Sequence, residues 1–267
     1  MMRLEVADHH GSHRKLLWTP GEDPSLPGVR PPTAKVDAII VPTARHPANL
    51  NDAVNLATAL DCDLLTLHSG KWTGARDAAR RFRGRARLHA IDVPDPANLG
   101  VPELRTSQLL APTRFRRPAD TGAKRNLGLL LSHLVGWERV VFLDDDIEIR
   151  DPEHLKQASA LLDTHNVVGL FIGGFPDNSV VCHAYRIAGG DQQSFIGSGA
   201  LVVQVQRSPS FFPDIYNDDW FYMLDAKEGL QPAATIGKVF QRPYDPFRTP
   251  DRARAEELGD VVAEGTF

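Results

Sequence analysis

The chain reads as an α/β protein built on a largely parallel sheet with helices on both faces. Three observations predict this. Short apolar runs alternate with segments of helical periodicity from residue 36 onward, the order that builds strand, helix, strand units. The first runs are apolar almost throughout, as strands covered on both faces require. The most apolar stretch, residues 127–137, is broken by Gly128, Ser132, His133 and Gly136, and lies far below the roughly 20 residues needed to cross a bilayer.

Composition sets the outer bounds. The 267 residues, 42% hydrophobic, suffice for one large domain or two small ones. With 30 Lys+Arg against 34 Asp+Glu the net charge is −4, which argues against a general binder of nucleic acid or anionic membrane but leaves room for a local basic pocket. The N-terminus lacks the basic segment, apolar run and small-residue cleavage site of a signal peptide, so a cytoplasmic protein without a membrane span is expected. Cys62 and Cys182 match no metal-ligand spacing and read as free thiols in a reducing compartment.

Residues 1–35 mix His9, His10 and His13 with Pro20, Gly21, Pro24, Pro27, Gly28, Pro31 and Pro32, and are expected to form an extended arm with a solvated polar tail. Residues 36–267 are expected to form one domain. Residues 36–41 read as a strand closed by Pro42, and residues 49–60 as a helix with Leu50, Ala53, Val54, Ala57 and Leu60 on one face. A strand over 63–68, a basic helix over 75–82 and a strand over 87–93 follow. Residues 94–120, with five prolines and Arg105, Arg114, Arg116 and Arg117, read as a long loop. Beyond it the pattern predicts a helix over 122–134, a strand over 139–143, a helix over 152–162 and a strand over 167–172. Strand-like periodicity then covers 179–187 and 195–205, and a helix is expected over 219–226.

The chemistry concentrates where the strand Val140-Val141-Phe142-Leu143 empties into Asp144-Asp145-Asp146. Three adjacent carboxylates repel and desolvate poorly, so they call for a cation or hydrogen-bond donors, and a divalent metal is the natural compensation. On an extended backbone Asp144 and Asp146 share a side while Asp145 faces elsewhere. Ligands of open α/β sheets bind at the C-terminal ends of the strands. A polar turn with aspartates capping the helix after Pro152 is the plainer alternative. Lys124 and Arg125 near a helix start offer charge for phosphate, unless they are simply a solvated face. Gly197 and Gly199 in an apolar segment imply a close approach by ligand or backbone, or a bulge. Asp218 and Asp219 sit at a helix start, where one caps and the other projects into a cleft. Trp220, Phe221 and Tyr222 beside them suit either a sugar face or the core.

Together these landmarks resemble, in order and spacing, the GT-A glycosyltransferases, especially those like family 2: Pro42-Thr43-Ala44-Arg45, Gly122-Ala123-Lys124-Arg125-Asn126-Leu127-Gly128, the aspartate cluster, Gly197-Ser198-Gly199, and Asp218-Asp219. The resemblance covers residues 36–245. It implies a GT-A, Rossmann-like, mainly parallel sheet flanked by helices, with a smaller antiparallel acceptor-side portion. The implied activity is transfer of a sugar from a nucleotide-diphosphate sugar to an acceptor hydroxyl. Asp144 and Asp146 would match the DxD motif, with Mn²⁺ or Mg²⁺ bridging the donor diphosphate. Pro42, Thr43 and Arg45 would approach the nucleotide with Asp145, and Lys124 or Arg125 the base or phosphates. Gly197, Ser198 and Gly199 would border the donor sugar. Asp219, the second acid of the pair with Asp218, would deprotonate the acceptor in an inverting displacement.

The sequence departs from the family in three places. The last histidine is His183, before the acid pair, so the family's common late histidine ligand is missing. Leu67-His68-Ser69-Gly70 replaces the acid often found after the second strand. The C-terminus after Phe240 holds Arg242, Asp245, Arg248, Asp251, Arg252 and Arg254 rather than the membrane helices of processive synthases, which fits a single-transfer enzyme. Two other readings compete. One is a haloacid-dehalogenase-like phosphohydrolase with Asp144 as nucleophile and Asp146 as acid/base. The other is a catalytically silent GT-A-like protein that binds nucleotide.

Overall fold

Neighbouring residues of the apolar runs fall into two different cores, which is why those runs show no alternation. In the computed structural model, Ile39, Val41, Leu64, Val141 and Leu143 pack into one core, and Ala38, Ile40, Leu65, Val140 and Phe142 into the other. The structure describes residues 17–18, 32–94, 103–117, 120–173, 187–189, 197–208, 210–225, 229–230 and 233–266.

Strands β1 (Leu17–Trp18), β2 (Ala38–Thr43), β3 (Asp63–His68), β4 (Arg87–Asp92), β5 (Arg139–Leu143), β6 (Ile147–Glu148), β7 (Val167–Gly173), β8 (Ala200–Gln204) and β11 (Ala233–Gln241) form one sheet. Its order is β1-β11-β7-β8-β5-β2-β3-β4, with β6 attached to β11. Strands β5, β2, β3 and β4 run parallel, as do β7, β11 and β1. Between the two groups β8 is antiparallel to both β5 and β7, and β6 is antiparallel to β11. Strands β9 (Leu224–Asp225) and β10 (Gly229–Leu230) form a separate hairpin ladder. The outcome is the mainly parallel sheet with a smaller antiparallel portion that the sequence suggested.

Helices α1 (Asn51–Leu60), α2 (Ala75–Arg81) and α5 (Glu153–Leu161) supply apolar side chains to the first core. Helix α4 (Thr121–Val135), through Leu129, and the short α6 (Asp218–Tyr222), through Trp220 and Tyr222, cover the second. Gly128 lets α4 lie directly on β2 and β5, because a Cβ there would sit 2.8 Å from Ile40 Cγ2 and 3.3 Å from Phe142. Helix α3 (Arg105–Leu110), the C-terminal α7 (Pro250–Thr266) and short 3-10 turns at Pro47–Leu50 and Val205–Arg207 complete the described elements. No helix among the described residues is long and apolar enough to cross a membrane.

Several elements differ from expectation. The segment expected as a loop over 94–120 carries α3, whose six residues have no buried position and so left no apolar period to read. The strand expected over 195–205 begins only at Ala200, so Gly197 and Gly199 lie in the turn that leads into it. The helix expected over 219–226 runs from Asp218 to Tyr222 and gives way to β9 at Leu224. Most of the strand expected over 179–187 falls outside the described residues, as do His9, His10, His13, Cys182 and His183. Leu17–Trp18, within the expected arm, pairs in parallel with Ala233 and Ala234 of β11.

Candidate active site

The aspartates follow β5 directly, at the C-terminal edge that β5 shares with the parallel strands β2 and β3. The amide of Asp144 donates to Gly199 O at 3.0 Å, and Ile147 N returns to Asp144 O at 3.1 Å, which closes a turn. That turn overrides the simple alternation expected of an extended chain. Asp145 and Asp146 consequently engage the same guanidinium, and Asp144 a different one. Arg45, half exposed beyond β2, donates Nη1 to Asp145 at 2.6 Å and Nη2 to Asp146 at 2.9 Å. Thr43 Oγ1 donates to Asp145 at 2.5 Å. Burial pushes the Asp145 carboxyl above its ordinary range, against the Thr43 hydrogen bond and the charge on Arg45. Burial works against the charge on Arg45, but Asp146 and Asp145 outweigh it and raise that pKa.

On the facing helix, Lys124 and Arg125 are both buried. Lys124 Nζ donates to Thr43 O at 3.1 Å, Ser69 Oγ at 2.9 Å and Asp120 Oδ1 at 2.9 Å, and so spends all three of its protons on protein. Thr43 carries Arg45 only two residues further on, so Lys124 fixes the strand end that presents Arg45. Arg125 reaches the other way. Its Nη2 donates to Asp144 Oδ1 at 2.9 Å and its Nη1 to both oxygens of Asp218, at 2.9 and 2.7 Å. Burial opposes its charge, yet Asp218 and Asp144 hold it protonated with a raised pKa. Its Nε is buried without a partner among the described residues. Burial likewise lifts the Asp144 carboxyl, with Arg125 opposing.

The acid pair lies across this guanidinium from the aspartate turn. Asn217, in the left-handed conformation at φ 61°, turns the chain so that Asp218 and Asp219 open α6. Asn217 Nδ2 also donates to Asp260 of α7 at 2.7 Å. Asp219 accepts from Ser198 N at 2.7 Å and from its neighbour Trp220 N at 2.9 Å. Ser198 Oγ donates to Asp218 at 3.1 Å. Burial, and then the adjacent charge on Asp218, push the Asp219 carboxyl up to about 7, with the Ser198 amide and Arg125 pulling the other way. The turn glycines accommodate the protein's own side chains: a Cβ at Gly197 would stand 2.6 Å from Ile172 Cδ1, and one at Gly199 3.3 Å from Asp144 Oδ2.

The structure thus gathers Thr43, Arg45, Lys124, Arg125, Asp144, Asp145, Asp146, Gly197, Ser198, Gly199, Asp218 and Asp219 into one connected network, with Pro42 on β2 beside Thr43. Trp220 and Tyr222 are instead core residues; Tyr222 stacks on Phe212 at 4.2 Å and bonds Ser208 through its hydroxyl. His68, where the family's acid is replaced, is buried between Thr73 and Thr66, and burial lowers its pKa. Sequence reasoning passed over Gln241 and noted Arg242 only as one of the charges after Phe240, not as a site residue: the Gln241 amide reaches Asp146 Oδ1 at 3.5 Å and Arg242 N donates to Asp146 O at 3.0 Å. Their only signal is a polar pair ending an apolar strand.

Asp144 and Asp146 are the side chains suited to a divalent ion. Asp144 has Oδ1 on Arg125, and Asp146 has Oδ2 on Arg45 and Oδ1 on the long 3.5 Å contact from Gln241, so each carboxylate keeps lone pairs for a hard cation. Among the described residues no three His, Cys, Asp or Glu side chains converge on one point. That donor set fits Mg²⁺ or Mn²⁺ shared with substrate phosphate and water rather than an all-protein cage.

No family model and no curated protein sequence matches the chain. Solved structures do. A mannosyltransferase from Pyrobaculum calidifontis, in complex with GDP-Man and Mn²⁺, superposes with a TM-score of 0.57 at 16% identity, over 96% of this chain and 73% of its own. A mycobacterial protein superposes with a TM-score of 0.54 at 16% identity, over 99% of this chain and 80% of its own. The chain therefore has a GT-A-like fold.

Proposed function

We propose that the protein is a metal-dependent glycosyltransferase that moves a sugar from a nucleotide-diphosphate sugar to an acceptor hydroxyl with inversion. The observation that carries this reading is the Arg125 guanidinium, which ties Asp144 at the sheet edge to Asp218 of the acid pair. A donor-binding carboxylate and an acceptor-side acid pair then belong to one site. The ion pair of Asp144 with Arg125 also supports a binding role for Asp144, which favours transfer over a phosphohydrolase that needs this carboxylate free as nucleophile.

In this mechanism Pro42, Thr43, Arg45 and Asp145 border the nucleotide, and Gly197, Ser198 and Gly199 border the sugar. Lys124 acts on the donor by fixing Thr43, since its three protons are engaged, and Arg125 by fixing Asp144 and Asp218. A Mn²⁺ or Mg²⁺ ion held by Asp144 and Asp146 would neutralise charge on the departing diphosphate. Asp219, in its ionised form, takes the proton of the acceptor hydroxyl. The acceptor oxygen forms its bond to the anomeric carbon as the bond to the diphosphate breaks, and the diphosphate leaves with the electron pair. A carboxyl titrating near 7 suits that task, because half of it is ionised at neutral pH while it is still basic enough to accept a proton.

The test is thermal melting with UDP, GDP, dTDP and CDP, each with and without Mn²⁺ or Mg²⁺. GDP with Mn²⁺ comes first because one fold neighbour was solved with GDP-Man and Mn²⁺. A ligand at a hundredfold over its Kd adds about 2.7 kcal/mol to the folded state. A metal-dependent rise for one nucleotide, lost in Asp146→Ala, is the expected result, followed by turnover of the corresponding nucleotide sugar. No rise with any of them would overturn the proposal.

A further inference from the structure

The segment from Glu103 to Arg117 carries four arginines and one acid in a chain of net charge −4. Arg105, Arg114 and Arg116 are exposed, and among the described residues none of these three nor Arg117 is within salt-bridge distance of a carboxylate. Elsewhere in the site the guanidiniums are committed: Arg45 to Asp145 and Asp146, Arg125 to Asp144 and Asp218.

The basic segment is docked at a defined place. Ser107 Oγ donates to Asp214 at 3.0 Å, and Thr106 Oγ1 accepts from Asp214 N at 3.0 Å. Arg117 Nη1 donates to Ile215 O at 3.0 Å, and its guanidinium lies 5.6 Å over the Tyr216 ring. Residues 214–216 run directly into Asn217 and the acid pair. Asp214 lies in the electrostatic field of Arg117, Arg116 and Asp218 alike. Arg117 therefore packs on the loop that leads into the acid pair, Arg116 adds its charge at Asp214 of that loop, and Arg114, over the Phe115 ring, precedes them on the same docked segment, whereas the donor side at Thr43 and the aspartate turn has its own arginine, Arg45.

We propose that the acceptor bears an oxyanion, a phosphate or a carboxylate, beside its reacting hydroxyl, and that Arg114 and Arg116 bind it while Arg117 anchors the segment to the acid-pair loop. The inference rests on the glycosyltransferase reading and names the acceptor class for that site. A guanidinium presents a planar fork of N–H donors that matches either oxyanion, and one without a carboxylate partner on the segment docked to the acid-pair loop is already set for it. Chain-wide acidity keeps extended polyanions from competing. A small anionic hydroxyl compound fits.

The experiment uses the full chain held saturated with the stabilising nucleotide and metal, at constant ionic strength. Inorganic phosphate and acetate are titrated separately, with melting temperature as the readout. The expected result is a saturable rise with one or both, absent in R114S/R116S and intact in R80S/R83S, which removes equal charge from the exposed surface at and after α2. Phosphate alone, acetate alone or both identifies the oxyanion. With a nucleotide sugar, glycerol 3-phosphate should then exceed glycerol in kcat/KM by roughly tenfold or more, the size of one charge-assisted contact. R114S/R116S should erase that preference through KM. A non-saturable response equal in all three proteins, or phosphate displacing the nucleotide, would overturn the inference. Because nucleotide binding is measured first and independently, a lost nucleotide shift indicts the parent reading, and a lost oxyanion shift only this one.

Discussion

Replacing Arg125 by methionine puts the site network under its most direct load. The side chain is only 4% exposed and holds two carboxylates, one of which, Asp218, is itself 4% exposed. Methionine fills much of the volume but leaves Asp144 and Asp218 without their cation. Removing one partner of a buried ion pair costs about 3–5 kcal/mol, because the remaining charge stays desolvated. For a chain of this size that is a fall in Tm of roughly 10 °C, at about 2–4 °C per kcal/mol. The deficit depends on pH. The Asp144 carboxyl is already raised in the native protein by burial, and losing Arg125 raises it further. A carboxyl raised in the folded state contributes stability that is complete below its unfolded pKa of about 3.9 and is lost as pH climbs through the folded value. Arg125→Met should therefore lie closest to wild type near pH 4 and furthest from it near pH 8. Urea denaturation at the two pH values measures both quantities. A deficit below about 1 kcal/mol, or one that is equal at both, would refute the reasoning. Arg125→Lys, which keeps a charge but not the fork, should fall between.

Other expectations follow from single contacts. Asp219→Asn should lower kcat by roughly 10²–10⁴-fold while keeping the nucleotide-dependent rise in Tm; the wild-type rate should climb with pH through about 7, as the acid pair yields its proton, and the variant should lack that limb. Gly128→Ala drives a methyl to 2.8 Å from Ile40 and should cost about 1–3 kcal/mol by overpacking, read as a shift in the urea midpoint at constant slope. Burial pushes the Cys62 thiol up to about 12, so in a Cys182→Ser background a thiol-specific reagent at pH 8 should label the protein only after denaturation; rapid native labelling would contradict the burial.

How much of this was legible in the sequence depended on distance along the chain. Strands β2, β3 and β5 announced themselves because both faces are buried, which leaves an uninterrupted apolar run. The aspartate cluster stood out because a strand ending in three acids needs compensation. What compensates them did not. Arg45 meets Asp145 from 100 positions away, and Arg125 meets Asp218 from 93, and no periodicity encodes such pairings. Lys124 next to Arg125 read as charge for a ligand, yet its neighbours Thr43, Ser69 and Asp120 come from three separate segments. Two-residue strands such as β1 and β6 are too short to carry a period at all. Helix α7 ends a charge-rich segment, and its buried acids, Glu256 and Asp260, look like surface until Arg252 and Asn217 are found beside them.

The pairing of β6 with β11 has a consequence for how the protein is made. Ile147 and Glu148 sit opposite Gln241 and Phe240, and the amide of Arg242 closes on Asp146. On its other side the same turn is tied to Gly199. The three aspartates therefore take their final shape only when segments about 55 and 95 residues further along have arrived, so the parallel half of the sheet is able to assemble during synthesis well before the site does. An emerging chain carries the aspartates exposed and repelling one another until Gly199 and Arg242 have reached them.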